Sequence, residues 1–188
     1  TKNIIEGQPV PYDDGRFGGR VFSYVASFGA LTRTSYTTPQ SIKNALGHTA
    51  YVLEGIQELT QIRNEHIKMI VDGEVVEDDF LFGAICNSTS VGGVLTLDPD
   101  VVDLQDNKLE ILLVRAPRNL AELHECILAL QDQTYNCAML TFRSATHIRI
   151  FADPEMPWTL DGEREEGHSE VEVVPEHLAY RLMKRVQP

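Results

Sequence analysis

The chain has 188 residues, enough for one domain that buries roughly 70% of its unfolded surface and needs no disulfides. Hydrophobic residues make up 43% and charged residues 23%, as in folded globular proteins. A net charge of −12 argues against nucleic acid or an anionic bilayer gripping the domain by bulk electrostatics, and no apolar run reaches the ~18 residues of a membrane-spanning helix.

In chain order the predicted elements are mostly strands. Residues 3–10 read as a strand entering a turn at Asp13-Asp14-Gly15, and residues 20–28, rich in Val, Phe and Tyr, read as the return strand. Thr38-Pro39 is a helix start, with a hydroxyl N-cap before a proline at the first helical position, and that helix stops at Gly47. A second helix carries Leu53, Ile56, Leu59 and Ile62 along one face. Residues 66–71 and 75–87 then form a hairpin across Asp72-Gly73, because both central turn positions need positive φ. Gly92-Gly93 marks a loop, and residues 109–114 are an apolar strand. Asn119 with Glu122 three residues on is a capping-box-like start for a third helix, whose buried stripe is Leu120, Leu123, Ile127 and Leu130. Short strands follow at 138–142, 147–151, 170–174 and 178–182. The pattern predicts a mostly β (α+β) fold: a two-layer sandwich of antiparallel sheets with two or three covering helices.

The three cysteines, Cys86, Cys126 and Cys137, form no CxxC pair and fall in apolar or helical stretches, so they read as buried free thiols of a reducing cytoplasm. No secretory leader is expected. The six histidines show no zinc-site spacing, and no P-loop, GxGxxG or GxSxG is present.

Two acidic loops are the candidates for chemistry. Asp-Gly-Glu occurs at Asp72-Gly73-Glu74 and again at Asp161-Gly162-Glu163. Asp-Gly is above all a turn, and the hairpin accounts for the first copy. The second follows Pro157-Trp158-Thr159-Leu160 and opens an acidic cluster of Glu163, Glu165 and Glu166, so its two carboxylates could face one acceptor. Its bland reading is a solvated acidic turn. Asp98, Asp100, Asp103 and Asp106 fall within one loop, spaced as oxygen ligands for Mg²⁺ or Ca²⁺ or, more plainly, as a solvated loop.

The order of these pieces resembles the C-terminal half of the diacylglycerol kinase catalytic-domain family, which includes bacterial soluble lipid kinases and, more distantly, sphingosine kinases. Residues 22–29 (FSYVASFG) are similar to the family's F-x-N-x-A-S-x-G strand, and Leu46-Gly47 with Ala50-Tyr51 to its LG-x-x-AY helix. Asn87-Ser88, Gly92-Gly93 and Asp98-Pro99 resemble its N…GG…P loop. Asp106-Asn107-Lys108-Leu109 stands at its DG-x-L, and Leu160-Asp161-Gly162-Glu163 at its DGE. The chain departs from the pattern at Asn107, where the family has Gly, and at Ser23, where it often has Asn.

The resemblance implies that residues 1–188 are the C-terminal β-sandwich domain of a two-domain lipid kinase whose N-terminal nucleotide-binding domain is absent. The γ-phosphate of ATP would pass to a lipid hydroxyl, diacylglycerol first among the acceptors, giving phosphatidic acid, and the domain alone would be inactive. Asp161 would accept or orient the hydroxyl proton, and Glu163 would join an acidic network around catalytic Mg²⁺. Asp106 would bind a structural Mg²⁺, helped by backbone carbonyls near Asp103 and Lys108. Expected partners are the lipid at a membrane surface and the protein's own N-terminal domain, with no nucleic acid and with monomer or homodimer left open. The location would be cytoplasmic, with peripheral membrane contact. The alternatives are the C-terminal domain of an NAD-kinase-like enzyme and a non-catalytic interaction β-sandwich.

Overall fold

A computed structural model describes residues 7–29, 64–91, 95–97, 99–132, 135 and 137–184. The helices expected at 38–47 and 53–62 lie outside these residues, as do Gly92-Gly93, Asp98 and the LG-x-x-AY motif.

β1 (Gln8–Phe17) runs through the Asp13-Asp14-Gly15 segment instead of turning there. Its reversal is at Gly18-Gly19, which leads to β2 (Arg20–Phe22). After a bend at Ser23-Tyr24 the same segment continues as β3 (Val25–Gly29). β4 (Glu65–Val71) and β5 (Glu74–Cys86) form the hairpin read from Asp72-Gly73. The short β6 (Ser90–Val91) and β7 (Leu95–Thr96) pair only with each other, and β8 (Leu109–Arg115) returns along β5. The predicted third helix is α1 (Leu120–Gln131), and Asn119 Oδ1 caps it by accepting from Glu122 N at 3.0 Å.

β9 (Leu140–Ala145), β10 (Ile148–Phe151), the three-residue strands β11 (Trp158–Leu160) and β12 (Glu163–Glu165), and β13 (Glu170–Lys184) complete the described elements. The segments 170–174 and 178–182 belong to this one last strand, interrupted by a bulge.

The pairing order is β12-β11-β3-β5-β4-β10-β13-β1-β2, with β8 and β9 added beside β5, all antiparallel. β2 and β3 are one bent segment, yet β3 stands third in the order, beside the β11–β12 pair, and β2 stands last. The sheet therefore curls round until it meets itself. The fold is mostly β and antiparallel, as expected. Apart from the β6–β7 pair, the described strands join in one curled sheet. Inside the curl Phe17, Phe22, Phe28, Ile67, Met69, Ile85, Ile111 and Trp158 form the larger apolar core. On the outer face Phe82, Ala84, Leu112 and Val114 pack with Cys126 and Ala129 of the helix.

Curling demands close approaches. Gly15 and Gly83 are the points where the Phe22 and Phe28 rings lie on the backbone, and a Cβ on either would fall 2.1 Å from ring carbon. Cys86 and Cys126 are buried free thiols, and burial pushes both up to about 12; Cys137 is half-buried. Among the described residues no helix is long and apolar enough to cross a membrane.

Candidate functional site

Asp161 and Gly162 have φ of 51° and 90° and form the two-residue loop between β11 and β12. Two consecutive positive φ values make a type I′ turn, which matches the twist of a tight hairpin. The Asp161 carboxylate folds back on the bend between β2 and β3. Its Oδ2 accepts from Ser23 N at 2.7 Å, and its Oδ1 accepts from Tyr24 N at 2.9 Å and Val25 N at 2.8 Å. Its own N–H donates to Val25 O at 2.8 Å. Three of its lone pairs thus go to backbone donors, which fix the bend where β2 becomes β3. Asp161 is exposed as a residue, and Glu163 faces outward with a side chain 79% exposed.

The Asp72 turn is built on the same plan. Asp72 and Gly73 have φ of 47° and 91°. Asp72 accepts from His147 N at 2.8 Å and from Thr146 Oγ1 at 3.0 Å, while its N–H donates to His147 O at 2.9 Å. Burial works to raise this carboxyl, but hydrogen bonds from Thr146 and His147 outweigh it and hold the group below its ordinary range. In both hairpins the glutamate after the glycine pairs with an arginine from a neighbouring strand, Glu74 with Arg143 and Glu163 with Arg20.

Between Asp161 and the 103–108 loop lies a feature that sequence reasoning took for a turn. Tyr12 pairs with Tyr180 and Asp14 with Glu176, so one residue of β1, Asp13, opposes three of β13. Leu178 takes a φ of 51° there, and the fully buried Asp13 carboxylate fills the bulge. Its Oδ1 accepts from Leu178 N at 2.7 Å and meets His177 Nδ1 at 3.0 Å, and its Oδ2 accepts from Asn107 N at 2.7 Å. Asn107 has φ of 60°, a left-handed conformation that Asn tolerates better than most residues. Asp14 is buried beside it, and its Oδ1 has no hydrogen-bond partner. Burial first, then the negative charges of Glu176, Asp161 and Asp13, push Asp14 above the usual carboxylate range, against a hydrogen bond from Ser23.

The expected metal ligands line one wall of a cleft of about 650 Å³, between the 99–108 loop and Val10, Tyr12, Ser144 and Lys184. Asp103 Oδ1 accepts from Gln105 N at 3.0 Å, and Asp106 Oδ1 accepts from Lys108 N at 3.0 Å. Asp106 Oδ2 lies 3.3 Å from the Lys108 ammonium. Among the described residues no three His, Cys, Asp or Glu side chains are grouped to hold a metal. For a hydrated Mg²⁺ the loop offers one or two carboxylates and backbone oxygens on one side only, and the Lys108 ammonium already pairs with Asp106. At the cleft edge, Ser144 Oγ donates to the buried Glu110 at 3.3 Å; burial, with Asp106 second, pushes Glu110 up to about 7.

The structure thus joins Asp161 to residues 23–25 and places Asp103, Asp106 and Lys108 together in a separate cleft that Asp161 does not line. The Asp13-Asp14 bulge touches both groups. Sequence reasoning missed Asp13, Asp14, Arg20 and His177. The one available signal was two adjacent acids inside an apolar strand, and their partners lie up to 165 residues away.

With this geometry in place, the class is defined. Residues 25–181 match the model of the YegS C-terminal NAD kinase beta sandwich-like domain, and the chain belongs to that family. It is 29% identical over 161 residues to the diacylglycerol kinase of Bacillus subtilis (strain 168) and 31% identical to that of Staphylococcus carnosus (strain TM300). In each case 85% of this chain is matched to 52% of the relative, so the chain spans about half the length of these relatives. Among solved structures, the fold is shared with a diacylglycerol kinase from Bacillus anthracis str. Sterne (TM-score 0.66, 18% identity, 98% of this chain and 57% of that one). It is also shared with an NAD kinase from Archaeoglobus fulgidus solved in complex with ATP (TM-score 0.52, 10% identity, 97% and 58%).

Proposed function

We propose that this chain is the C-terminal domain of an ATP-dependent lipid kinase that transfers the γ-phosphate of ATP to a lipid hydroxyl, diacylglycerol first, giving phosphatidic acid. The observation that carries the reading is the family match over residues 25–181, with relatives named diacylglycerol kinase. Phosphoryl transfer needs a positioned hydroxyl, a proton acceptor and charge neutralisation. Glu163, exposed at the start of β12 and met by Arg20 through Oε2, has Oε1 to take the hydroxyl proton. Asp161, already bonded to three backbone N–H groups, orients the hydroxyl and the turn. Mg²⁺ would be held at Asp103, Asp106 and the backbone at Lys108, where it neutralises charge and stiffens the loop.

ATP would be bound mainly by the N-terminal half of the whole protein. The lipid would be met at a membrane surface from a cytoplasmic location, with a homodimer as the assembly to test.

The test is Glu163→Gln in the full-length protein, assayed with ATP and diacylglycerol. The expected outcome is a fall in kcat of roughly 10²-fold with KM for ATP unchanged. Wild-type turnover in the variant removes Glu163 as proton acceptor, absence of lipid phosphorylation by the wild-type protein sinks the assignment, and phosphorylation of NAD in place of lipid moves it to the nicotinamide-nucleotide branch.

A further inference from the structure

We propose that Arg20 is a positioning residue that holds Glu163 in its reactive geometry, an inference that rests on the reading of Glu163 as proton acceptor. Arg20 belongs to β2, just after the Gly18-Gly19 reversal, and reaches across to β12, more than 140 residues away in the chain. Its guanidinium forks. Nη1 donates to Glu165 Oε2 at 2.6 Å and Nη2 donates to Glu163 Oε2 at 3.3 Å. Glu165 is the firm end of the fork. Its side chain is 15% exposed, and its other oxygen, Oε1, lies 3.3 Å from His168 Nε2. Although burial works to raise Glu165, hydrogen bonds from Arg20 and His168 hold it below the usual glutamate range, so it stays an anionic anchor.

Anchored in this way, Arg20 restrains an otherwise freely rotating carboxylate by one oxygen only. Glu163 Oε1 is left to face an acceptor hydroxyl. Arginine suits this task because its planar fork serves two carboxylates from one rigid group, which a lysine ammonium does not. The Arg143–Glu74 pair at the other hairpin shows that an Arg–Glu contact here is also compatible with folding alone. The test must therefore read something that folding does not move.

The experiment compares Arg20→Gln, Arg20→Lys and Arg143→Gln in the full-length protein, each with its Tm, kcat and KM for ATP. Arg20→Gln is expected to lower kcat about tenfold to a hundredfold, the scale of a misplaced reacting group. KM for ATP should stay where it is, as for a group that acts in the chemical step. Arg20→Lys should restore only part of kcat, and Arg143→Gln should change neither kcat nor KM. If Glu163→Gln abolishes turnover while Arg20→Gln behaves like Arg143→Gln, the positioning role is overturned and the kinase reading stands. If Glu163→Gln turns over like wild type, Glu163 is not the proton acceptor and the positioning role of Arg20 falls with it. Should Arg20→Gln fail to fold, Glu165→Gln removes the anchor and leaves the Arg20–Glu163 contact in place; a lowered kcat supports the role, and wild-type kcat overturns it.

Discussion

At Asp161 three backbone N–H groups converge on one carboxylate, and an amide in its place would turn its own donors against some of them. Asp72 faces the same conflict at Thr146 and His147. Asp161→Asn and Asp72→Asn should each lower unfolding stability by roughly 1 kcal/mol, the typical loss of a side-chain cap on backbone donors, measured by urea denaturation. Only Asp161→Asn should also cost turnover in the full-length protein. Two of the perturbed carboxylates, Asp72 and Asp14, pull stability in opposite directions. Asp72 is held below its ordinary value, so its contribution is full above the unfolded carboxylate range and is lost as pH falls through its folded value. Asp14 is held above its ordinary value, so stability is greatest below the unfolded range and is lost as pH rises through its folded value. Asp14→Asn should therefore raise Tm at alkaline pH and flatten the decline that accompanies ionisation of Asp14, the reverse of an ordinary buried-polar deletion.

Among the elements, those with local causes were legible. The β4–β5 hairpin follows from Asp72-Gly73 between apolar runs, and α1 follows from Asn119 and Glu122, all within reach of one another along the chain. The β11–β12 hairpin uses the same Asp-Gly signal, but its strands have three residues each, too few to display a period of two. Asp13-Asp14-Gly15 has the composition of a turn and yet forms strand, because the donors that satisfy Asp13 come from Asn107, His177 and Leu178. Gly15 is not a turn residue either; it is the seat of the Phe22 ring. Gly15→Ala should therefore destabilise the fold by about 1–3 kcal/mol through overpacking. Because Phe22 directly precedes the bend that Asp161 caps, amide exchange at Ser23, Tyr24 and Val25 should speed up in that variant beyond the global change.

For the molecule as a whole, the acidic loops and their order carried the family reading, while the arrangement that joins them did not show in the sequence. Turnover by residues 1–188 alone should be absent, since the phosphate-binding half is supplied elsewhere on this reading; phosphatidic acid formation by the isolated chain from ATP and diacylglycerol would refute it. β13, the last strand of the fold, lies between β10 and β1 and so stitches the first strand to the rest. During synthesis β1 must therefore wait, with one backbone edge unpaired, until more than 150 further residues have been made. Closing the curl is a late event, set by long-range pairing rather than by local propensity. Ribosome-bound chains stopped before residue 170 should remain sensitive to protease in β1, and resistance should appear in one step once residue 184 has cleared the exit tunnel.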